Sequence, residues 1–148
     1  MATTLIAGMA SAEFGRPGHN GLFVYESPYS TDETVSRIEQ ELASRNIPVF
    51  AVFDHDKNAR KAGLDLRPTK VIVFGSPEVG TDLMKENQEI AIDLPLKIAV
   101  WENEDHKVRM AFPDMKLIAR KYGMADHPVI GKMQHLLENI AGQIAGPE

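Results

Sequence analysis

Two short segments, Ile47–Phe53 and Thr69–Phe74, are apolar at nearly every position. A strand with one wet face alternates apolar and polar residues, whereas a continuous apolar run needs cover on both sides. Two such strands call for a sheet with helices packed against it, an α+β domain. The run also sets a problem, because helices on one side of a sheet leave its other face apolar and open. Either the terminal helix folds across that face or a second subunit does, and a homodimer is the commonest closed assembly.

The rest of the chain supplies the other elements. Leu22–Glu26 reads as a strand, and Leu96–Glu102 with Lys107–Phe112 as a hairpin around Asn103-Glu104-Asp105. Ser30 or Thr31 opens a helix, with Glu33 completing a capping box and Val35, Ile38 and Leu42 forming the apolar stripe. A short helix is expected over Asp56–Ala62 with Asp56 as its cap, another over Glu78–Asn87, and an irregular stretch from there to Pro95. Pro113-Asp114 starts a helix that turns Leu117, Ile118 and Tyr122 inward and stops at Gly123. In the last helix Asp126 is the expected cap and Pro128 suits the first turn. Val129, Ile130, Met133, Leu136, Leu137 and Ile140 then recur at helical spacing. Three units follow: an N-terminal arm over 1–20, closing in the turn-forming run Arg16 to Gly21; a domain over 21–124; and a C-terminal helix over 125–148 packed on that same domain. Leu5–Ala10 is too short and too rich in small residues for a signal segment.

Composition limits the function classes. A chain of 148 residues with net charge −5 and no run of Lys or Arg longer than two lacks the basic footprint of a nucleic-acid binder or of a protein drawn to anionic membranes. No segment has the ~20 apolar residues that span a bilayer. Cysteine is absent, which removes disulfides, thiolate metal sites and cysteine nucleophiles, and fits a cytoplasmic setting.

Few constellations carry chemistry. Gly75-Ser76-Pro77-Glu78-Val79-Gly80-Thr81 follows a strand and precedes a helix, as a phosphate cradle would. It lacks the lysine that reaches the phosphates, Pro77 removes an N–H donor, and Glu78 repels an anion. A tight turn with two glycines at positive φ is expected instead. Asp54-His55-Asp56 closes an apolar strand, and a carboxylate beside an imidazole can fix its tautomer and make it a general base. The competing role is structural, with His55 bonded to a loop. His19, His106, His127 and His135 show no ligand spacing, so neither a metal nor a cofactor is expected. Serines stand outside any nucleophile-elbow context. Trp101, Phe74, Phe53 and Phe50 read as core. Lys70 and Lys97 interrupt apolar strands, as edge or snorkelling lysines do; pointed at one pocket, they would bind an acidic ligand. Asp93 is the matching carboxylate in an apolar segment.

Taken in order, Asp54-His55, Ala59…Ala62-Gly63, Leu66-Arg67-Pro68-Thr69, Phe74-Gly75-x-Pro77 with Gly80, Asp93-Leu94-Pro95-Leu96-Lys97 and Val100-Trp101-Glu102 resemble the DUF302 family, also called the TT1751-like group. The resemblance spans Gly21 to about Met124. It implies a TBP-like β-α-β(4)-α antiparallel sheet with helices on one face, often as a homodimer, and brings no assigned biochemical role. Ser76 stands where the family often has Asn, His106 where it has Gly, and Phe112 where it has Tyr. The retained landmarks Asp54, His55, Phe74, Gly75, Pro77, Asp93, Pro95 and Lys97 lie at strand ends.

From these residues the expected function is a non-enzymatic, homodimeric small-ligand-binding domain. Its cleft would be bordered by His55 and the Phe74–Pro77 loop, with Asp54, Gly75, Asp93 and Lys97 around it. The alternatives are an enzyme using His55 as general acid–base with Asp54 or Asp93, and a purely structural or interaction protein.

Overall fold

A computed structural model describes residues 17–146. The order is β1 (Leu22–Ser27), α1 (Thr31–Ser44), β2 (Val49–Asp54), α2 (His55–Lys61), β3 (Thr69–Phe74) and α3 (Pro77–Glu86). A 3-10 helix (Gln88–Asp93), β4 (Leu96–Glu102), β5 (Val108–Pro113), α4 (Met115–Arg120) and α5 (Pro128–Ala145) follow. The strands form one antiparallel sheet in the order β1-β5-β4-β3-β2. This is the β-α-β(4)-α arrangement with short helices inserted between strands. Of the arm, Gly18 to Gly21 form a turn beside β1; residues 1–16, and with them Leu5–Ala10, lie outside the described residues.

One core holds the domain together. Phe23, Ile72, Phe74, Ile98, Val100, Met110 and Phe112 of the sheet pack against Ile38 and Leu42 of α1 and Ile130, Leu137 and Ile140 of α5. Several of these side chains are fully buried, each contributing about 1.5–3 kcal/mol by removal from water. α1 begins as its capping box requires, Ser30 Oγ accepting from Glu33 N at 3.2 Å. Gly21 (φ 75°) lets the chain turn into β1, and a Cβ there would meet Leu117 at 2.7 Å.

Several details depart from expectation. β2 is an edge strand, so Phe50 and Phe53 are half exposed (51% and 50%) instead of core. Apolar content marks a strand without telling its place in the sheet. The terminal helix joins α1 on the covered face, and among the described residues no helix covers the other face, which carries Phe53, Val71, Ala99 and Trp101. Asp54, not Asp56, caps α2, and His127, not Asp126, caps α5. A regular 3-10 helix replaces the irregular stretch. Leu117 is 47% exposed, since α4 is only six residues long and turns away after Arg120. Gly75 and Gly80 are not at positive φ; α3 begins at once at Pro77, and Gly80 N bonds Ser76 O within it. The hairpin turn is made by Asn103, whose Oδ1 accepts from Asp105 N and Lys107 N at 3.0 Å each. His106 takes the left-handed conformation there (φ 59°), the backbone that a glycine would adopt freely.

Candidate functional site

Antiparallel register separates the candidate residues into two groups. Asp54 pairs with Lys70 at one end of β3, and Phe74 pairs with Leu96 at the other, roughly 13 Å away at ~3.3 Å per residue. A single cleft bordered by His55 and the Phe74–Pro77 loop is therefore not what the chain builds.

At the first end, Lys70 is buried on the helix-covered face. Its Nζ donates to Asp54 Oδ2 at 2.6 Å and lies 3.7 Å from Asp56 and 3.4 Å from Asp32 at the start of α1. Burial pulls the Lys70 pKa down, but the hydrogen bond to Asp54 and the charges of Asp56, Asp54 and Asp32 outweigh it and raise it. The hydrogen bond from Lys70, then that from Lys57 N, holds the Asp54 carboxyl well below the usual range. Both oxygens of Asp54 are thus engaged, Oδ1 with Lys57 N at 2.9 Å and Oδ2 with Lys70. Asp56 is buried too, accepting from Thr69 N at 3.0 Å and Arg60 at 3.1 Å. His55 is exposed, with its ring stacked on Phe53 at 6.4 Å. The carboxylates beside it in sequence serve Lys70 and the start of α2, so neither of them orients the imidazole as an acid–base role would use it.

At the second end the chain forms a cavity of about 560 Å³ between α3, the segment before β4, α5 and the start of β2. Gly75 and Pro77 line it with Pro95, and Phe74 lies beneath in the core. Leu94–Pro95 is a cis peptide. Further walls come from Phe50, Met84, Val129, Met133 and Leu136, with Asp82 and Lys132 as its charged residues. An apolar hollow with a few polar groups at its edge has the size and make-up of a small-molecule site. Asp93 belongs to this end of the sheet but is engaged, accepting from Tyr122 Oη and from Lys121 Nζ at 2.9 Å. Burial raises its pKa, but these bonds more than offset that and hold the carboxyl below the usual range; the Tyr122 phenol is pushed up to about 12. Lys97 pairs with Val73, and so projects from the sheet face opposite to Lys70, where it donates to Pro95 O at 3.1 Å. The two lysines share no pocket.

Sequence reasoning placed Val129, Met133 and Leu136 in the apolar stripe of the last helix and missed that they also line the cavity. The signal was present in the width of the stripe: Ile130, Leu137 and Ile140 suffice to seat the helix, and Val129 and Leu136 on its flank are only half-buried.

A five-stranded antiparallel sheet with its helices gathered on one face and a hollow at one end defines a class of α+β domains. The family model "Domain of unknown function DUF302" matches residues 23–140, and the chain belongs to that family. The crystal structure of an uncharacterized conserved DUF302 protein from Bacillus stearothermophilus superposes with a TM-score of 0.76 over 84% of this chain and 98% of that one, at 16% identity, a likeness of fold. Proteins named fluoride-specific ion channel FluC 1 from Brucella suis and Brucella abortus are 36% identical to it over 105 residues. That stretch is 71% of this chain but 41% and 39% of theirs, so the chain spans about two-fifths of these relatives. No helix among the described residues is long and apolar enough to cross a membrane.

Proposed function

We propose that the chain is a non-enzymatic binding domain that holds a small, mainly apolar ligand in the cavity between α3 and α5 and works as a homodimer. The observation that carries the proposal is the cavity itself, about 560 Å³ with walls that are mostly aliphatic or aromatic. The sheet face that carries no helix among the described residues supports the dimer, since apolar side chains on it gain by meeting a second copy. A cytoplasmic setting goes with this picture. Substituting Leu136→Phe narrows the hollow without touching the sheet. The expected result is that apolar fragments which raise the melting temperature of the natural chain no longer do so in the variant. Equal shifts in both proteins would remove the cavity as the binding site.

A second reading is favoured by the likeness to the Brucella channels: a domain that attaches to, and modulates, an anion-handling membrane protein. The shared stretch covers about two-fifths of those proteins, and this chain has no membrane-crossing helix among its described residues. Conduction would then belong to the unshared part. Fluoride efflux from cells making the channel portion alone should change when this chain is supplied; identical efflux would exclude it.

A further inference from the structure

The cavity's polar groups constrain the ligand more tightly than its walls do. Three polar side chains line it: Ser76, Asp82 and Lys132. Ser76 is already committed, its hydroxyl bonded to Glu78 Oε2 at 2.7 Å. Asp82 from α3 and Lys132 from α5 are both exposed, and among the described residues neither side chain makes a hydrogen bond or an ion pair, with the other or with anything else. The hollow is thus bordered by one uncommitted acceptor and one uncommitted donor of opposite charge, one from each of two helices that line it.

Resting on the cavity reading above, we propose that the ligand is an apolar molecule, neutral overall, whose polar end offers both a hydrogen-bond donor and an acceptor, as a carboxamide or an amino-acid-like zwitterion does. A ligand with a single charge gains from one of the two groups and is repelled by the other. Its charge is also costly to bring against the apolar walls. A neutral dipolar end meets Asp82 with its donor and Lys132 with its acceptor at once, and the apolar remainder fills the space lined by Met84 and Met133, whose flexible side chains adapt to its shape.

Three probes of equal chain length separate the alternatives: decanamide, decanoate and decylammonium, measured by thermal shift and by displacement of a fluorescent apolar dye. Decanamide should bind most tightly to the natural chain. Asp82→Asn should move the preference toward decanoate, and Lys132→Gln toward decylammonium, each by about threefold, the scale of an exposed charge contact. Decanoate or decylammonium binding as tightly as decanamide, or a ranking unmoved by both substitutions, overturns the head-group assignment and leaves the cavity reading standing. Failure of all three probes to bind the natural chain overturns the cavity reading and the assignment with it.

Discussion

Lys70 sits on the sheet's covered side at the start of β3 with three carboxylates around it, and the arrangement has a direction. Removing the ammonium leaves Asp54 without its counter-charge and Asp56 with Arg60 alone, and breaking a buried ion pair from one side costs far more than the pair contributes intact. Lys70→Met should lower unfolding stability in urea by about 2–4 kcal/mol, the lower part of the range because Asp54 is 31% exposed. Asp54 titrates below its ordinary value of 3.8 in the folded chain, so its contribution is complete above that value and disappears as pH falls through the folded one. Lys70 is raised above 10.5, so its contribution is complete below that value and disappears at higher pH. Thermal melts of the natural chain should lose stability below about pH 4, and Lys70→Met should flatten that acid limb. An acid limb unchanged by the substitution would show that other carboxylates govern it.

At the scale of elements, the start of α5 depends on a histidine. His127 Nδ1 accepts from Val129 N at 3.2 Å, while Nε2 lies 3.1 Å from Glu86 at the end of α3. One imidazole thus caps one cavity wall and ties it to the other. His127→Ala should cost about 1–2 kcal/mol, typical of a lost N-cap plus a partly buried polar contact. His127→Asn, a good capping residue, should recover part of the loss in the same melts. Recovery would be absent if only the contact to Glu86 mattered. The helices and strands were legible in the sequence because their signals are local: Ser30 and Glu33 mark the start of α1, the apolar stripe marks α5, and the landmark residues supply the topology. What was not legible depends on partners distant in sequence. Nothing within Val49–Asp54 says that the strand takes the sheet edge. Nothing in Lys70 says that Asp32, in the first turn of α1, approaches it. The candidate site was half readable: Gly75 and Pro77 line the cavity, but antiparallel register carries His55 to the far end, and periodicity does not encode register.

At the scale of the whole molecule, one face of the sheet carries no helix among the described residues. Phe53, Val71, Ala99 and Trp101 alternate outward there, with Glu26 and Arg109 paired at 2.7 Å toward the β1 edge. Small and β-branched residues near the centre leave a surface flat enough for a second sheet to approach at the usual ~10 Å spacing. Ala99→Glu places a charge at that centre. It should reduce self-association in sedimentation by at least about tenfold with little change in monomer fold, because the side chain remains free to reach water when the face is open. A natural chain that sediments as a monomer at high concentration would remove the dimer.

The separation of the Lys70 cluster from the hollow by the length of β3 makes the chain a two-ended object. Perturbations at distant sites without shared partners combine by simple addition, to within about 0.3–0.5 kcal/mol. Lys70→Met and Leu136→Phe made together should therefore give the sum of their separate stability changes, and ligand affinity should respond only to the second. One end can then drift under selection for endurance in acid while the other is retuned for a new guest, with neither change constraining the other.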